Sequence, residues 1–233
     1  MITRRGLLSG GLGVAALALG DGVVAADELA DKRLQNRLEL WANYAKRTRN
    51  LMARVTTTRE TSLLREPLIT TGQLLFRAPS TFVLRDDGLA GATTIVDGDE
   101  LAIVPNGATT GAVARGVIRR GEAPAAAWLA DHLRAAFAPG DGAALVADCR
   151  TDVPRSGYRL DLLPPRNSII RRAIRSVTLH LDPVAGAVTE ILVAEAQGDR
   201  VRMQIADHRQ NLPDEEIDTV LAEIAAARQR RAP

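Results

Sequence analysis

The side chains able to do chemistry are few and scattered. The three histidines, His132, His180 and His208, lie far apart in the chain, and none has a Cys, Asp or Glu at metal-ligand spacing. His132 falls on an apolar helical stripe and reads as a hydrogen-bonded, partly buried histidine. His180 falls on the polar face of a strand and His208 in a charged loop. Cys149 is the only cysteine, so no internal disulfide and no cysteine-based zinc site is possible. Asp148 beside it disfavours a thiolate, which argues for an inert thiol rather than a nucleophile. Asp86-Asp87 and Glu215-Glu216 are adjacent pairs whose members point apart, and are poor acid/base partners. There is no G-x-S-x-G, no P-loop, no G-x-G-x-x-G after a strand and no H-E-x-x-H. No catalytic residue, metal or cofactor is expected. The run from Arg166 to Arg175 is basic without interleaved aromatics. It reads as a solvated loop, with anionic lipid headgroups or a partner as the sharper alternative.

The bulk composition narrows the classes further. The 233 residues are 46% apolar and 25% charged, ordinary values for a globular protein. The 30 basic and 28 acidic residues leave a net charge of +2, too small for a nucleic-acid footprint. Lys32 and Lys46 are the only lysines. Aromatics are only 3%, so any apolar pocket must be lined mainly by aliphatic side chains.

The N-terminus has the layout of an export signal. Arg4 and Arg5 precede the apolar run Gly6 to Leu19, and small residues follow at Val24, Ala25 and Ala26. Thr3-Arg4-Arg5-Gly6-Leu7-Leu8 resembles the twin-arginine pattern, with a general secretory signal as the alternative. The run is short for a membrane span and broken by Gly10, Gly11 and Gly13. The expectation is an export signal over residues 1–26, cleaved near Ala26, and a periplasmic mature chain over 27–233.

The elements that must position any site follow from periodicity. Asp27 to about Arg54 is helical, with Leu34, Leu38, Trp41, Ala45 and Met52 near helical spacing. Strands follow from Val55: Val55–Thr61, Gly72–Arg77 and Thr81–Arg85, then Thr93–Val96 and Glu100–Val104 flanking the tight-turn signal Asp97-Gly98. Pro124 opens a helix with the stripe Trp128, Leu129, His132, Leu133, Ala136 and Phe137, closed at Pro139-Gly140. Ala143–Ala147 is apolar and of open type. Alternation returns with Tyr158, Leu160 and Leu162, with Val177, Leu179 and Leu181, with Ile191 and Val193, and with Val201, Met203 and Ile205. A last helix, about residues 213–231, begins with acids and ends with Arg228, Arg230 and Arg231, which suits its dipole. About eight one-sided strands and three helical segments predict one α+β domain, a curved antiparallel sheet with helices on one face, forming an incomplete barrel.

Several stretches carry a resemblance. Gly72-Gln73-Leu74-Leu75-Phe76-Arg77-Ala78-Pro79-Ser80-Thr81-Phe82 resembles the G-x-L-x-x-x-x-P-x-x-F stretch of the LolA-like family of periplasmic outer-membrane lipoprotein carriers. Ile95-Val96-Asp97-Gly98-Asp99-Glu100-Leu101 is similar to its aspartate-glycine hairpin, and Tyr158 to Pro165 to its L-x-L-x-P strand. Val177 to Asp214 is similar to its C-terminal meander. The order matches over roughly residues 30–217.

The resemblance implies an incomplete barrel covered by helices, with an apolar cavity between them for acyl chains. Phe76, Phe82, Leu84, Ile95, Leu101 and Ile103 would line the concave face, and Leu179, Ile191, Val193, Met203 and Ile205 would extend it. Trp128 and Leu129 would form a lid. It also implies a monomer that takes lipoprotein acyl chains or another lipid from an inner-membrane donor to an outer-membrane acceptor, without catalysis or nucleic acid. The carriers place a lid-holding arginine directly before the proline. Here Ala78 stands there and Arg77 one residue earlier, and a one-residue shift in a strand reverses the face. The alternative within the fold is a periplasmic regulator that binds a membrane-bound signalling partner. A third reading is an exported hydrolase with no recognisable motif.

Overall fold

The computed structural model describes residues 21–88, 91–98, 100–106, 116–117 and 123–230, with side chains described for 28–88, 91–98, 100–104, 106 and 123–223. The twin-arginine stretch lies outside the described residues, as do the side chains of Arg228 and Arg230 and the whole of Arg231.

The chain folds as α+β around one antiparallel sheet that curves without closing. In chain order the elements are α1 (Asp21–Ala45), β1 (Asn50–Glu60), β2 (Leu68–Arg77), β3 (Thr81–Asp86), β4 (Ala92–Asp97), β5 (Glu100–Pro105) and β6 (Gly116–Val117). There follow α2 (Pro124–Ala135), α3 (Ala143–Val146), β7 (Arg150–Asp152), β8 (Arg159–Leu163), a 3-10 turn (Ile169–Arg172), β9 (Ile174–Leu181), β10 (Val188–Glu195), β11 (Arg200–Gln210) and α4 (Asp214–Arg230). Among the described residues eleven strands run β6-β5-β4-β3-β2-β1-β11-β10-β9-β8-β7, so β1 and β11, distant in sequence, join two meanders at the middle of the sheet.

Local sequence explains most of these elements. Leu51, Ala53 and Val55 alternate with Met52 and Arg54, a strand period that starts at Asn50. The helix expected to reach Arg54 therefore ends at Ala45, and Met52 belongs to the sheet. The Asp97-Gly98 signal yields a tight hairpin in which Asp97 pairs with Glu100 and Gly98 takes φ +57°. Pro124 opens α2 as expected. The short strands β6 and β7 were not legible, because two or three residues carry no measurable period.

One architectural expectation is corrected. Helices cover both faces of the sheet, not one. Side chains of α1, α2 and α3 pack on the inner face in one large core that includes Trp41, Leu133 and Leu145. On the outer face Ile217 of α4 is fully buried against Met52, Leu75 and Val83, with Leu212, Val220 and Leu221 beside them. No helix among the described residues is long and apolar enough to cross a membrane.

Candidate apolar binding face

The inner face is built by register. Leu51, Phe76, Phe82, Val96 and Leu101 stand opposite one another across β1 to β5. One pleat further on, Ala53, Leu74, Leu84, Thr94 and Ile103 form a parallel row. On the other arm Met203, Ile191, Leu179 and Leu160 align across β11 to β8, and Val55 pairs with Ile205. Antiparallel pairing places the side chains of each row on one side, so the rows merge into one continuous apolar surface.

Of the residues expected to line a cavity, Phe76, Phe82, Leu84, Leu101, Ile103, Leu179, Ile191, Val193, Met203 and Ile205 share this inner cluster with Trp128 and Leu129. Ile95 does not. It pairs with Val83 and packs on the outer face beside α4. Its neighbour Val96, unremarked in the sequence, takes the inner position, because alternate residues of a strand face opposite sides. Leu51, Leu74 and Val55 were also missed. Leu51 falls in a segment whose spacing predicts helix, whereas Val55 and Leu74 fall in expected strands, where alternation does not say which face is the inner one.

Burial is graded along this face. Phe76, Phe82 and Leu179 are closed off from solvent. The apolar strand residues of this cluster that remain partly exposed are Leu84 and Ile103, in register with Ala53 of β1, and Val201, which pairs with Arg59 beside the β1–β2 and β10–β11 connections. Leu129 of α2 and Ile170 of the 3-10 turn are partly exposed as well.

The covering helix α2 is fastened unevenly. At its C-terminal end the Trp41 indole Nε1 of α1 donates to the Ala136 carbonyl at 2.9 Å, and Phe137 stacks on Phe82 with centroids 5.9 Å apart. In the middle, His132 places Nδ1 2.8 Å from the Trp128 carbonyl oxygen and Nε2 3.1 Å from that of Ala147, beyond α3. Its ring lies 4.0 Å from that of Trp128, whose Nε1 reaches the Asp148 carbonyl at 3.4 Å. So α2 and α3 are tied into one unit, while in the N-terminal turn of α2 Pro124 is exposed and Ala125 and Ala126 are only partly buried. The buried, hydrogen-bonded reading of His132 is what the structure shows.

The remaining reactive groups stay apart. The His180 imidazole lies 3.8 Å from Glu190 on the outer face. His208 sits in β11, not in a loop, with Nε2 2.9 Å from the Val188 carbonyl. Burial pushes the Cys149 thiol up; the Thr151 hydroxyl opposes this and the Asp148 charge adds to it. Asp86 accepts from the Thr57 hydroxyl at 2.8 Å, while Asp87 lies 3.3 Å from Arg85, so the two carboxylates serve different partners. Among the described residues no cluster of three or more His, Cys, Asp or Glu could hold a metal.

Arg77 faces away from the inner surface. Its guanidinium pairs with Asp218 of α4, whereas Ala78 packs against the inner core. The one-residue shift in the motif thus moves the arginine to the opposite side from α2. A polar depression of about 380 Å³ also opens on the outer face, and the arginines that line it, Arg54, Arg85 and Arg209, are each ion-paired.

No family model matches the chain, and no curated protein matches it. It is similar to several solved structures. One is a LolA superfamily protein from Nitrosomonas europaea, 14% identical over 78% of this chain and 95% of that one, with a TM-score of 0.40. Another is the Pseudomonas aeruginosa MucA/MucB complex, 16% identical over 80% of this chain and 60% of that one, with a TM-score of 0.40. A third is the Mycobacterium tuberculosis lipoprotein LppX, 13% identical over 79% of this chain and 99% of that one, with a TM-score of 0.36. The family that the sequence motifs resemble is therefore also among the structures to which this chain is similar.

Proposed function

We propose that this chain is an exported periplasmic carrier that holds the acyl chains of a lipoprotein or another lipid against the inner face of the sheet, beneath α2. The observation that carries this reading is the graded inner face: rows of aliphatic side chains in register, closed off where Phe137 stacks on Phe82 and partly exposed at Leu84, Ile103 and Val201. Each methylene buried there contributes about 0.8 kcal/mol, so an acyl chain is held without a covalent bond and can be released again. Loading requires α2 to swing as a unit with α3, pivoting near Trp41 and Ala136. Trp128 and Leu129 then act as the lid. Export through the N-terminal arginine signal and delivery from an inner-membrane donor to an outer-membrane acceptor belong to the same proposal.

The test is native mass spectrometry with lipid extraction on protein purified from a periplasm. A bound lipid or acyl group supports the carrier and identifies its class. Leu84→Asp and Ile103→Asp, both partly exposed on the inner face, should abolish uptake of a fluorescent fatty acid while Arg77→Ala leaves it intact. A clean mass with no probe uptake would overturn the reading. Capture of a membrane-bound partner would then point to the regulator alternative.

A further inference from the structure

The strand directions bring several connections to one end of the sheet. β1 ends there, and β11, paired antiparallel with it, begins there. The β1–β2 loop, the β10–β11 turn and the β8–β9 connection with its 3-10 turn therefore share one rim. Three contacts tie it together. The Ser62 amide donates to Asp199 Oδ1 at 3.1 Å, the Ala196 amide to the Ala173 carbonyl at 2.8 Å, and the Arg175 guanidinium to the Ala196 carbonyl at 3.3 Å. Strand spacing makes the rim about 14 Å wide from β1 to β9.

Its composition is unusual. Leu63 is 89% exposed and Leu64 50%, both in the β1–β2 loop, and Ile169 is 61% exposed in the β8–β9 connection. Between Leu163 and Asp182 the chain has Arg166, Arg171, Arg172 and Arg175 and no acidic residue. Arg166 and Arg172 are exposed, and neither makes an ion pair among the described residues. At the β1–β2 connection Glu60 and Glu66 offset Arg59 and Arg65, and at the β10–β11 connection Glu195 and Asp199 outnumber Arg200, so the positive field is concentrated at the 3-10 turn and the β1–β2 loop adds mainly its leucines. A protein-binding patch would gather its apolar side chains into one contiguous core. Here they project from two separate connections, with the unpaired cations around Ile169, the pattern that suits a plane of anionic headgroups with shallow apolar insertion.

We infer that this rim is a docking surface for an anionic phospholipid bilayer, with Leu63, Leu64 and Ile169 entering the interface and Arg166, Arg171 and Arg172 held against phosphates. Val201, a partly exposed residue of the inner cluster, pairs with Arg59 at this rim, so docking places that part of the inner face at the membrane. The inference does not rest on the carrier proposal.

The test is co-sedimentation of the full chain with vesicles of phosphatidylcholine alone and of phosphatidylcholine mixed with phosphatidylglycerol. Binding is expected only to the anionic vesicles and should weaken as salt rises. Each arginine near the surface adds about fivefold to partitioning, so Arg166→Glu combined with Arg172→Glu should weaken binding at least tenfold. Leu63→Asp should weaken it about tenfold. The same charge change at the opposite end of the sheet, Arg47→Glu with Arg49→Glu, should leave it unchanged, and circular dichroism checks that every variant folds. No binding to the anionic vesicles would overturn the inference. So would equal loss in the two double variants, which would mean adsorption by net charge alone. If the chain instead sediments with protein-containing bacterial membranes but not with the anionic vesicles, and the same rim substitutions remove that binding, the rim belongs to a protein and the inference is overturned. A failure here leaves lipid extraction free to support the carrier, and an empty carrier leaves vesicle binding measurable.

Discussion

The Arg77 guanidinium donates to Asp218 Oδ1 at 2.5 Å, joining the end of β2 to α4 on the outer face, one residue after Phe76 has turned inward to the core. The pair is partly exposed, at 37% and 59%. Its coupling in a double-mutant cycle of Arg77→Ala and Asp218→Ala should be about 0.2–1 kcal/mol. Ile217, fully buried beside it, should cost about 2–4 kcal/mol as Ile217→Ala. Urea unfolding of the four variants measures both. A coupling well above that range would make the ion pair, rather than Ile217, the main attachment of α4.

Gly72 is the first residue of the carrier-like motif, and the structure gives it a reason. A Cβ there would stand 1.8 Å from the Arg85 carbonyl oxygen on β3. Backbone cannot move aside as a side chain can, so Gly72→Ala should part β2 from β3 and cost about 3 kcal/mol or more. The urea midpoint reads this directly. A loss under about 1 kcal/mol would mean that the β2–β3 pairing shifts at little cost.

Tyr44 packs edge-on to His208 at 6.2 Å, and its hydroxyl is buried without a hydrogen-bond partner. Burial pushes its ionisation up to about 12. The unfolded chain ionises this group near pH 10, so the folded state holds the proton that the unfolded state has lost. Stability is therefore unaffected by this group below pH 10 and falls as pH rises from 10 to about 12. Phenolate absorbance followed beside circular dichroism should show one of the two tyrosines titrating late, together with unfolding. Tyr44→Phe should remove that late step.

The β9–β10 turn is held by Asp182, which accepts from the Val184 and Ala185 amides at 2.8 and 2.6 Å. These bonds, Ala185 first and Val184 next, hold its carboxyl below the usual range; slight burial opposes them and His208 adds a small pull. A depressed carboxyl contributes its stabilisation above its ordinary value and loses it as pH falls through the folded value. Hydrogen exchange at Val184 and Ala185, corrected for intrinsic rates, should therefore accelerate only in strong acid. In Asp182→Ala it should be fast at every pH.

Sequence alone determined the elements whose period is long enough to read. Val177, Leu179 and Leu181 in β9, Met203 and Ile205 in β11, the Asp97-Gly98 hairpin and the α2 stripe with Trp128 and Leu133 are all where alternation, turn chemistry and helical spacing place them. The tertiary structure decided which side each strand shows to which helix. A period of two separates two faces but carries no label for inner and outer. Ile95 and Val96 are adjacent, both apolar and β-branched, and only pairing with Val83 and Phe82 sends the first to α4 and the second to the inner face. Arg77 could be assigned a partner only once α4 lay across the outer face, and Asn50 to Arg54, whose short alternation competes with the helical spacing that runs into Met52, are settled as strand by their pairing with β2 and β11. Local chemistry fixed what each segment can form. Long-range pairing, which no window of sequence contains, fixed what each side chain meets.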